Sequence, residues 1–190
     1  MADNDQNLQD IRFVNRALEN QIFYTDIVSK YQERIIRYVI RISGISYQEA
    51  EDVAQEVFLK AYVNLNNFNQ EKKFFSWLFS IAHNEIVSYW RKNKKRLKDI
   101  SIEGEELAEK LGADFQMLEK IDSANNKDFI KQAISKLDFK YREVLQLKYL
   151  DDYSYEEISD IIKKPVATVG TLISRAKKIL KSDLDKKYYE

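Results

Sequence analysis

The chain has no cysteine, one proline, one histidine and four glycines in 190 residues. Without cysteine there are no disulfides and no thiolate metal sites. So little glycine and proline leaves few of the turns that all-β folds need, and favours helices. The lone His83 cannot build a histidine metal cluster, so no metal is expected. The longest apolar stretch, around 74–82, is broken by Ser76 and Ser80. It falls far short of the roughly 20 residues that a bilayer crossing takes, so no membrane insertion is expected. The start, MADNDQNLQD, is polar and acidic rather than a signal peptide, and the expected location is cytoplasmic. No glycine-rich phosphate cradle, nucleophile–base pair or metal-ligand set is present, so neither enzymatic activity nor a cofactor is expected. Glu49, Asp52 and Glu56 lack a base or nucleophile around them and read as helix-start charges and partner contacts.

Charge is abundant, at 33% of residues, yet it sums to zero. The balance conceals blocks. Six of the eight residues over 91–98 are Lys or Arg; 99–128 holds nine Asp/Glu against three Lys; 163–187 holds eight Lys/Arg against two Asp. Two basic regions therefore flank an acidic one, and the placement says more about partners than the total does.

The hydrophobic pattern is helical. Ser46 and Glu49 fit a capping box. Behind them Ala50, Val53, Ala54, Val57, Phe58, Ala61, Tyr62 and Leu65 recur at helical spacing, opposite Asp52, Gln55, Glu56 and Lys60. A helical stretch over 22–42 precedes this helix and closes near Gly44; another runs over 74–92, with Leu78, Ala82, Ile86 and Tyr89 able to face a core. The acidic segment 98–126 reads as a flexible linker, with a short helix near 115–121. A second module begins near Lys127, with a stripe of Ile130, Ala133, Ile134 and Leu137, then Val144, Leu145 and Tyr149. The expected fold is all-α: two small helical domains, 21–97 and 127–187, joined by the linker.

The second domain ends on a helix-turn-helix pattern. Ser154 and Glu157 form a second capping box, Ile158, Ile161 and Ile162 a short apolar face, Lys163-Lys164 a tight connection, and Pro165 suits the next helix's first turn. Val166, Val169, Ile173, Ala176 and Leu180 then form the inward stripe, with Thr168, Thr171, Arg175 and Lys178 opposite. Hydroxyls and a guanidinium on an outer face suit phosphate and base-edge contacts in a major groove.

Residues 68–96, FNQEKKFFSWLFSIAHNEIVSYWRKNKKR, set rings directly beside the densest run of cations. Such a stretch is either an ordinary amphipathic helix or a surface for something flat and negatively charged. Phe74, Trp77 and Phe79 fit a core better than a base stack, because their neighbours are apolar; Phe75, Tyr89 and Trp90 fit either. The cations after them could simply complement a helix C-terminus. Their position behind the aromatic helix favours nucleic acid.

The motifs AEDVAQEVFLKAY, F-x5-FFSWLFSIAHNEI, ISKLDFKYREVLQLKYLDDYSYEEISDII and VATVGTLISRAKKIL, in this order over 23–184, resemble the extracytoplasmic-function (group IV) sigma factors of the bacterial sigma-70 family. The resemblance implies a protein that binds core RNA polymerase and directs it to promoters. The first domain would melt and capture the minus-ten element, and the second would read the minus-thirty-five element as duplex. Asp52, Gln55, Glu56 and Lys60 would meet the clamp coiled coil of the polymerase. Phe68, Asn69, Gln70 and Lys73 belong to the loop that receives a flipped base, and Phe75, Asn84, Tyr89, Arg91 and Lys92 to the helix that tracks the strand. Thr168, Thr171, Ser174, Arg175 and Lys178 would contact the duplex. The resemblance admits an anti-sigma factor as a further partner. The chain departs from the family at Gly170 and Leu172, where many members carry cations, and at Leu137-Asp138, where Leu-Pro is usual. The alternative is a two-domain helix-turn-helix regulator that acts without being a polymerase subunit. Such a regulator has no need of rings beside cations over 68–96.

Overall fold

The computed structural model describes residues 2–92, 133, 134 and 136–189. Every regular element among them is helical. The linker expected over 98–126, its short helix, Ile130 and the cations over 93–98 lie outside the described residues. Two compact units divide the chain, one built on the helices up to Lys92 and the other on those from Phe139.

The first unit holds four helices: α1 (Ala2–Glu19), α2 (Tyr24–Ser43), α3 (Tyr47–Val63) and α4 (Phe74–Lys92). In α2, Ile27, Tyr31, Ile35, Val39 and Ile42 are buried three or four residues apart, one face laid inward. The helix stops at Gly44, whose φ of 69° is left-handed and whose N–H reaches back to the Ile40 carbonyl at 2.7 Å. Only glycine takes that conformation at no steric cost. α3 opens on the expected capping box: Ser46 Oγ accepts from Glu49 N–H at 3.3 Å, and Ser46 N–H donates to Glu49 Oε2 at 3.1 Å. α3 packs between α2 and α4, and buries Ala50, Val53, Ala54, Val57, Phe58 and Ala61. Tyr62, expected on that stripe, is instead exposed; its hydroxyl donates to Gln21.

The sequence pattern offers no signal for α1, and its packing shows why. Among the described side chains, those it buries are Asp10, Val14 and Ala17, one carboxylate and two small side chains. Asp10 is 1% exposed, accepts from the Tyr31 hydroxyl at 2.6 Å and pairs with Lys30 Nζ at 2.7 Å. Arg16 adds a pair with Asp26 at 3.1 Å and lies over the Phe23 ring. α1 is thus fastened to α2 through charge and hydrogen bonds, which hydrophobic periodicity does not register.

The second unit holds α5 (Phe139–Tyr149), α6 (Tyr155–Ile162) and α7 (Val166–Tyr189), preceded by helical residues that include Ala133 and Ile134. α5 packs on α7 and is buried over an unbroken run, 142–147. Burial pulls the Arg142 guanidinium down to about 10, against the opposing pull of Glu143. The second capping box is formed as well: Ser154 N–H donates to Glu157 Oε2 at 2.7 Å, and Glu157 N–H to Ser154 Oγ at 3.2 Å. α6 ends at Lys163, with φ 54°, and the Pro165 carbonyl then accepts from Thr168 and Val169 N–H to open α7. The inward stripe of α7 is Val169, Leu172, Ile173, Ala176 and Leu180. Val166, expected there, is 39% exposed, and Leu172 is buried.

These packing differences give a stability prediction. Asp10→Ala leaves Lys30 and the Tyr31 hydroxyl without their partner and should cost the first unit about 3 kcal/mol. Ser46→Ala removes one cap and should cost about 1 kcal/mol. Urea unfolding followed by circular dichroism separates the two; equal shifts would deny Asp10 its anchoring role.

Candidate nucleic-acid interface

The loop between α3 and α4 is shaped from beneath by rings. Phe68 is 7% exposed, with its centroid 5.3 Å from Phe74 and 5.4 Å from Trp77. Phe75 is likewise buried, and Phe79 packs on Tyr38. Phe68 and Phe75, expected to meet DNA, are enclosed: Phe68 packs on Phe74 and Trp77, and Phe75 lies edge-on to Phe79 with centroids 6.5 Å apart. Trp77 is half-buried, and its ring reaches the loop from α4. Each buried ring removes about 150–250 Å² from water, a large term in so small a unit.

Above these rings the loop is polar. Asn69 Oδ1 accepts from Glu71 N–H at 2.9 Å, and the Asn69 carbonyl from Lys72 N–H at 3.0 Å, an Asx-type turn that closes the loop on itself. Asn69 and Gln70 are exposed; Lys73 is half-buried with its ammonium 5.8 Å from the Phe75 centroid. Behind the loop, α4 shows solvent a stripe of Trp77, Ile81, Asn84, Ser88, Arg91 and Lys92 at half or full exposure. Three- and four-residue steps keep these on one face. Asn84, Arg91 and Lys92 stand on that face. Tyr89 does not: it is turned toward α3, as its spacing allows, and its hydroxyl donates to Glu49 Oε1 at 3.0 Å. Five residues of helix carry it about 140° round from Asn84.

The outer ridge of α3 carries Asp52, Gln55 and Glu56, all exposed, between two clefts. One, of about 350 Å³, lies toward α4 and is lined by Asp52, Glu56, Glu85 and Tyr89. The other, of about 570 Å³, lies toward α2 and is lined by Tyr24, Val28, Ala54, Gln55, Phe58 and Leu59. Burial raises the pKa of the Tyr24 phenol, whose hydroxyl donates to the Phe58 carbonyl at 2.7 Å. Leu59, Tyr62, Val63 and Ile22 stand exposed near this second cleft's elements. Lys60 pairs with Glu85 at 2.6 Å, bridging α3 to α4. The sequence pattern picks out the acids of this ridge; Leu59 and Val63, which lie off the inward stripe, carry no signal of their own there.

In α7, Thr171, Ser174, Arg175 and Lys178 are exposed on one face and Thr168 is half-exposed. The Thr171 hydroxyl donates to the Ala167 carbonyl at 2.9 Å, which fixes its rotamer and leaves its oxygen able to accept. Gly170 lies half-exposed beside the Tyr155 ring; a Cβ there would stand 3.6 Å from Tyr155 Cε2, an ordinary contact. Leu172 is buried, so a cation at that position would not project from the same face. Gly170→Ala should therefore stabilise the second unit by about 1 kcal/mol through helix propensity. Thermal unfolding tests this, and a loss of stability would mean that the Tyr155 ring cannot give way.

Comparison with known proteins matches the same two units. The family described as Sigma-70 region 2 matches residues 27–96, and Sigma-70, region 4 matches residues 130–180. The ECF RNA polymerase sigma factor SigW of Bacillus subtilis (strain 168) is 38% identical over 170 residues, 87% of this chain and 90% of that protein. The RNA polymerase sigma-H factor of Pseudomonas aeruginosa is 33% identical over 179 residues, 90% of this chain and 92% of that protein. Two solved structures share the fold. CnrH in complex with the cytosolic domain of CnrY has a TM-score of 0.62 at 23% identity, covering 92% of this chain and 96% of that one. The sigma factor RpoE with the anti-sigma factor NepR from Bartonella quintana has a TM-score of 0.58 at 21% identity, covering 85% and 96%. A regulator that acts outside the polymerase is not favoured, since residues 27–96 match the sigma region and not a sensing or dimerising module. With both regions matched in order and relatives aligned over most of its length, the chain belongs to the sigma-70 family, among the extracytoplasmic-function RNA polymerase sigma factors.

Proposed function

We propose that the surfaces described above divide the work of a sigma factor, which binds core RNA polymerase and directs initiation at particular promoters. The α3 ridge with the α2–α3 cleft is the polymerase face. The 68–73 loop and the α4 stripe are the minus-ten face. The exposed side of α7 is the minus-thirty-five face. The observation that carries this reading is the sidedness of α4 and α7. Each buries one face completely and turns polar and cationic groups outward from the other. Among the described residues Arg91, Lys92, Arg175 and Lys178 have no ion-pair partner, so their charge is available to phosphates.

The chemistry differs between the two DNA faces. A melted strand offers base faces and edges together, so a loop of amides above a packed ring cluster can accept one extruded base. Asn69, Gln70 and Lys73 supply edge contacts, Asn84, Arg91 and Lys92 follow the strand, and Phe68 and Phe75 support the loop from within. A duplex offers its major groove, which suits the hydroxyls of Thr168, Thr171 and Ser174 with the guanidinium of Arg175; Lys178 suits a phosphate. An anti-sigma factor is part of the proposal as a competing partner, in line with the NepR complex of the similarly folded RpoE.

On the polymerase side, Asp52 and Glu56 supply charge and the Leu59–Tyr62–Val63 rim supplies apolar area. Reversing both acids, Asp52→Lys with Glu56→Lys, should abolish capture of core polymerase while circular dichroism and melting stay near wild type, since exposed substitutions cost within about 0.5 kcal/mol. Unchanged pull-down by the folded variant would remove this face from the assignment.

On the duplex side, Arg175→Ala should weaken binding of holoenzyme to minus-thirty-five DNA. Gly170→Lys should strengthen it without regard to sequence and steepen the salt dependence by about one unit. Binding titrations at several salt concentrations check both. A weaker Gly170→Lys complex with the fold intact would mean that α7 presents another face.

A further inference from the structure

The base-receiving loop is held by α1, a helix that no surface assigned above includes. Gln70 Nε2 donates to Asn15 Oδ1 at 2.8 Å. Eight residues earlier on the same helix, Asn7 Oδ1 accepts from Phe74 N–H at 3.2 Å, at the point where the loop enters α4. One rigid element thus grips the loop at its middle and at its exit, over about 12 Å of helix axis. α1 is itself immobilised by Asp10 on Lys30 and Tyr31 and by Arg16 on Asp26.

We propose that Asn15 is a positioning residue that sets which edge of the Gln70 amide faces the captured base. An amide offers donors at one end and an acceptor at the other. With its nitrogen turned to Asn15, Gln70 presents its oxygen outward, and that oxygen takes no hydrogen bond from the described residues. Where it meets the C4 substituent of a pyrimidine or the C6 substituent of a purine, an outward acceptor pairs with the amine of cytosine or adenine, and meets the carbonyl of thymine or guanine without a proton between them. Contact at that substituent makes the loop select cytosine or adenine at one position of the melted minus-ten strand. One hydrogen bond made or lost discriminates roughly three- to tenfold.

This inference rests on the reading of 68–73 as the base-receiving loop, so the experiment carries a separate arm for that reading. Holoenzyme is assembled from core polymerase with wild-type chain, Gln70→Ala, Asn15→Leu, Asn15→Asp and Asn15→Lys. Each transcribes a promoter library randomised over the minus-ten element, and base frequencies are read from the transcripts. Asn15 is exposed, and melting of each free variant confirms the fold. Gln70→Ala should flatten the preference at one position. Asn15→Leu frees the amide to turn and should reduce the preference for cytosine and adenine by roughly three- to tenfold. Asn15→Asp keeps an acceptor and should retain the wild-type preference. Asn15→Lys supplies a donor, draws the Gln70 oxygen inward and should shift the preference toward guanine or thymine. Its added charge acts on phosphates alike for every sequence and cancels in the ratio. If Gln70→Ala alters the preference while Asn15→Leu and Asn15→Lys stay within about twofold of wild type, the role of Asn15 is overturned and the loop assignment stands. If Gln70→Ala alters nothing, the loop assignment itself falls, and the role of Asn15 with it. A guanine or thymine preference for Asn15→Asp would overturn the assigned amide orientation.

Discussion

The arrangement of the first unit depends on one carboxylate. Asp10 is enclosed, and a buried charge is tolerated only when it is paired and hydrogen-bonded. Lys30 and the Tyr31 hydroxyl meet that requirement, and both lie on α2. The same Tyr31 turns the edge of its ring to Phe74, the first residue of α4. A single contact set therefore fixes α1 on α2 and, through Tyr31, the start of α4. The loop of 68–73 ends at that start, and its geometry follows from how these three helices are locked. A buried pair adds little net stability compared with apolar packing, but it admits one register only. That is the property the proposed base-reading role of the loop needs from the elements around it.

Rings and cations share residues 68–92 without sharing a task. Phe68, Phe74, Phe75 and Phe79 are in the core, and the cations Arg91 and Lys92 are in solvent. The helix resolves the conflict by angle: residues 74, 78, 82 and 86 point inward, while 77, 81, 84, 88 and 91 point outward or half outward. Trp77 alone belongs to both sets. It packs on Phe68 and Phe74 and still shows part of its ring beside the loop. Burying the other rings makes the platform stiff, and a stiff platform loses less entropy when a strand is ordered on it.

Much of this was legible in the sequence, for identifiable reasons. Both capping boxes are local, four-residue devices, and both form as read. α3, α4 and α7 have long stripes whose period leaves little choice. The misreadings share one cause: periodicity assigns a face to a residue only to within about a quarter turn. Val166 and Leu172 exchange roles for that reason, and Tyr62 leaves the stripe of α3; Tyr89, which spacing allows to face the core, does turn toward α3, and its place on the strand-tracking face comes from the resemblance. α1 was invisible because its inward face is carried by a charge and two small residues, and pattern reading counts large apolar side chains. The bond from Gln70 to Asn15 spans 55 residues and leaves no trace in local spacing. The polar burial of Arg142, Glu143 and Gln146 in α5 was equally unreadable, since nothing in the neighbouring sequence marks those residues as enclosed.

On the proposed division of surfaces, affinity and specificity fall to groups in different physical states. Arg91, Lys92, Arg175 and Lys178 stand exposed on long side chains with no ion-pair partner among the described residues. Such cations adapt to any phosphate within reach, and they gain affinity by releasing counterions regardless of sequence. A group that adapts to everything discriminates nothing. The groups proposed to discriminate are the restrained ones: the Gln70 amide tied to Asn15, Asn69 closed on Glu71, and the Thr171 hydroxyl bonded to Ala167. Each has already spent one hydrogen bond inside the protein, so it can offer only its remaining edge. A wrong base then meets a donor or acceptor that cannot turn away, and the mismatch costs the desolvation of both groups. The restraint is intramolecular and present before DNA arrives, so specificity does not draw on the binding energy that the free cations supply.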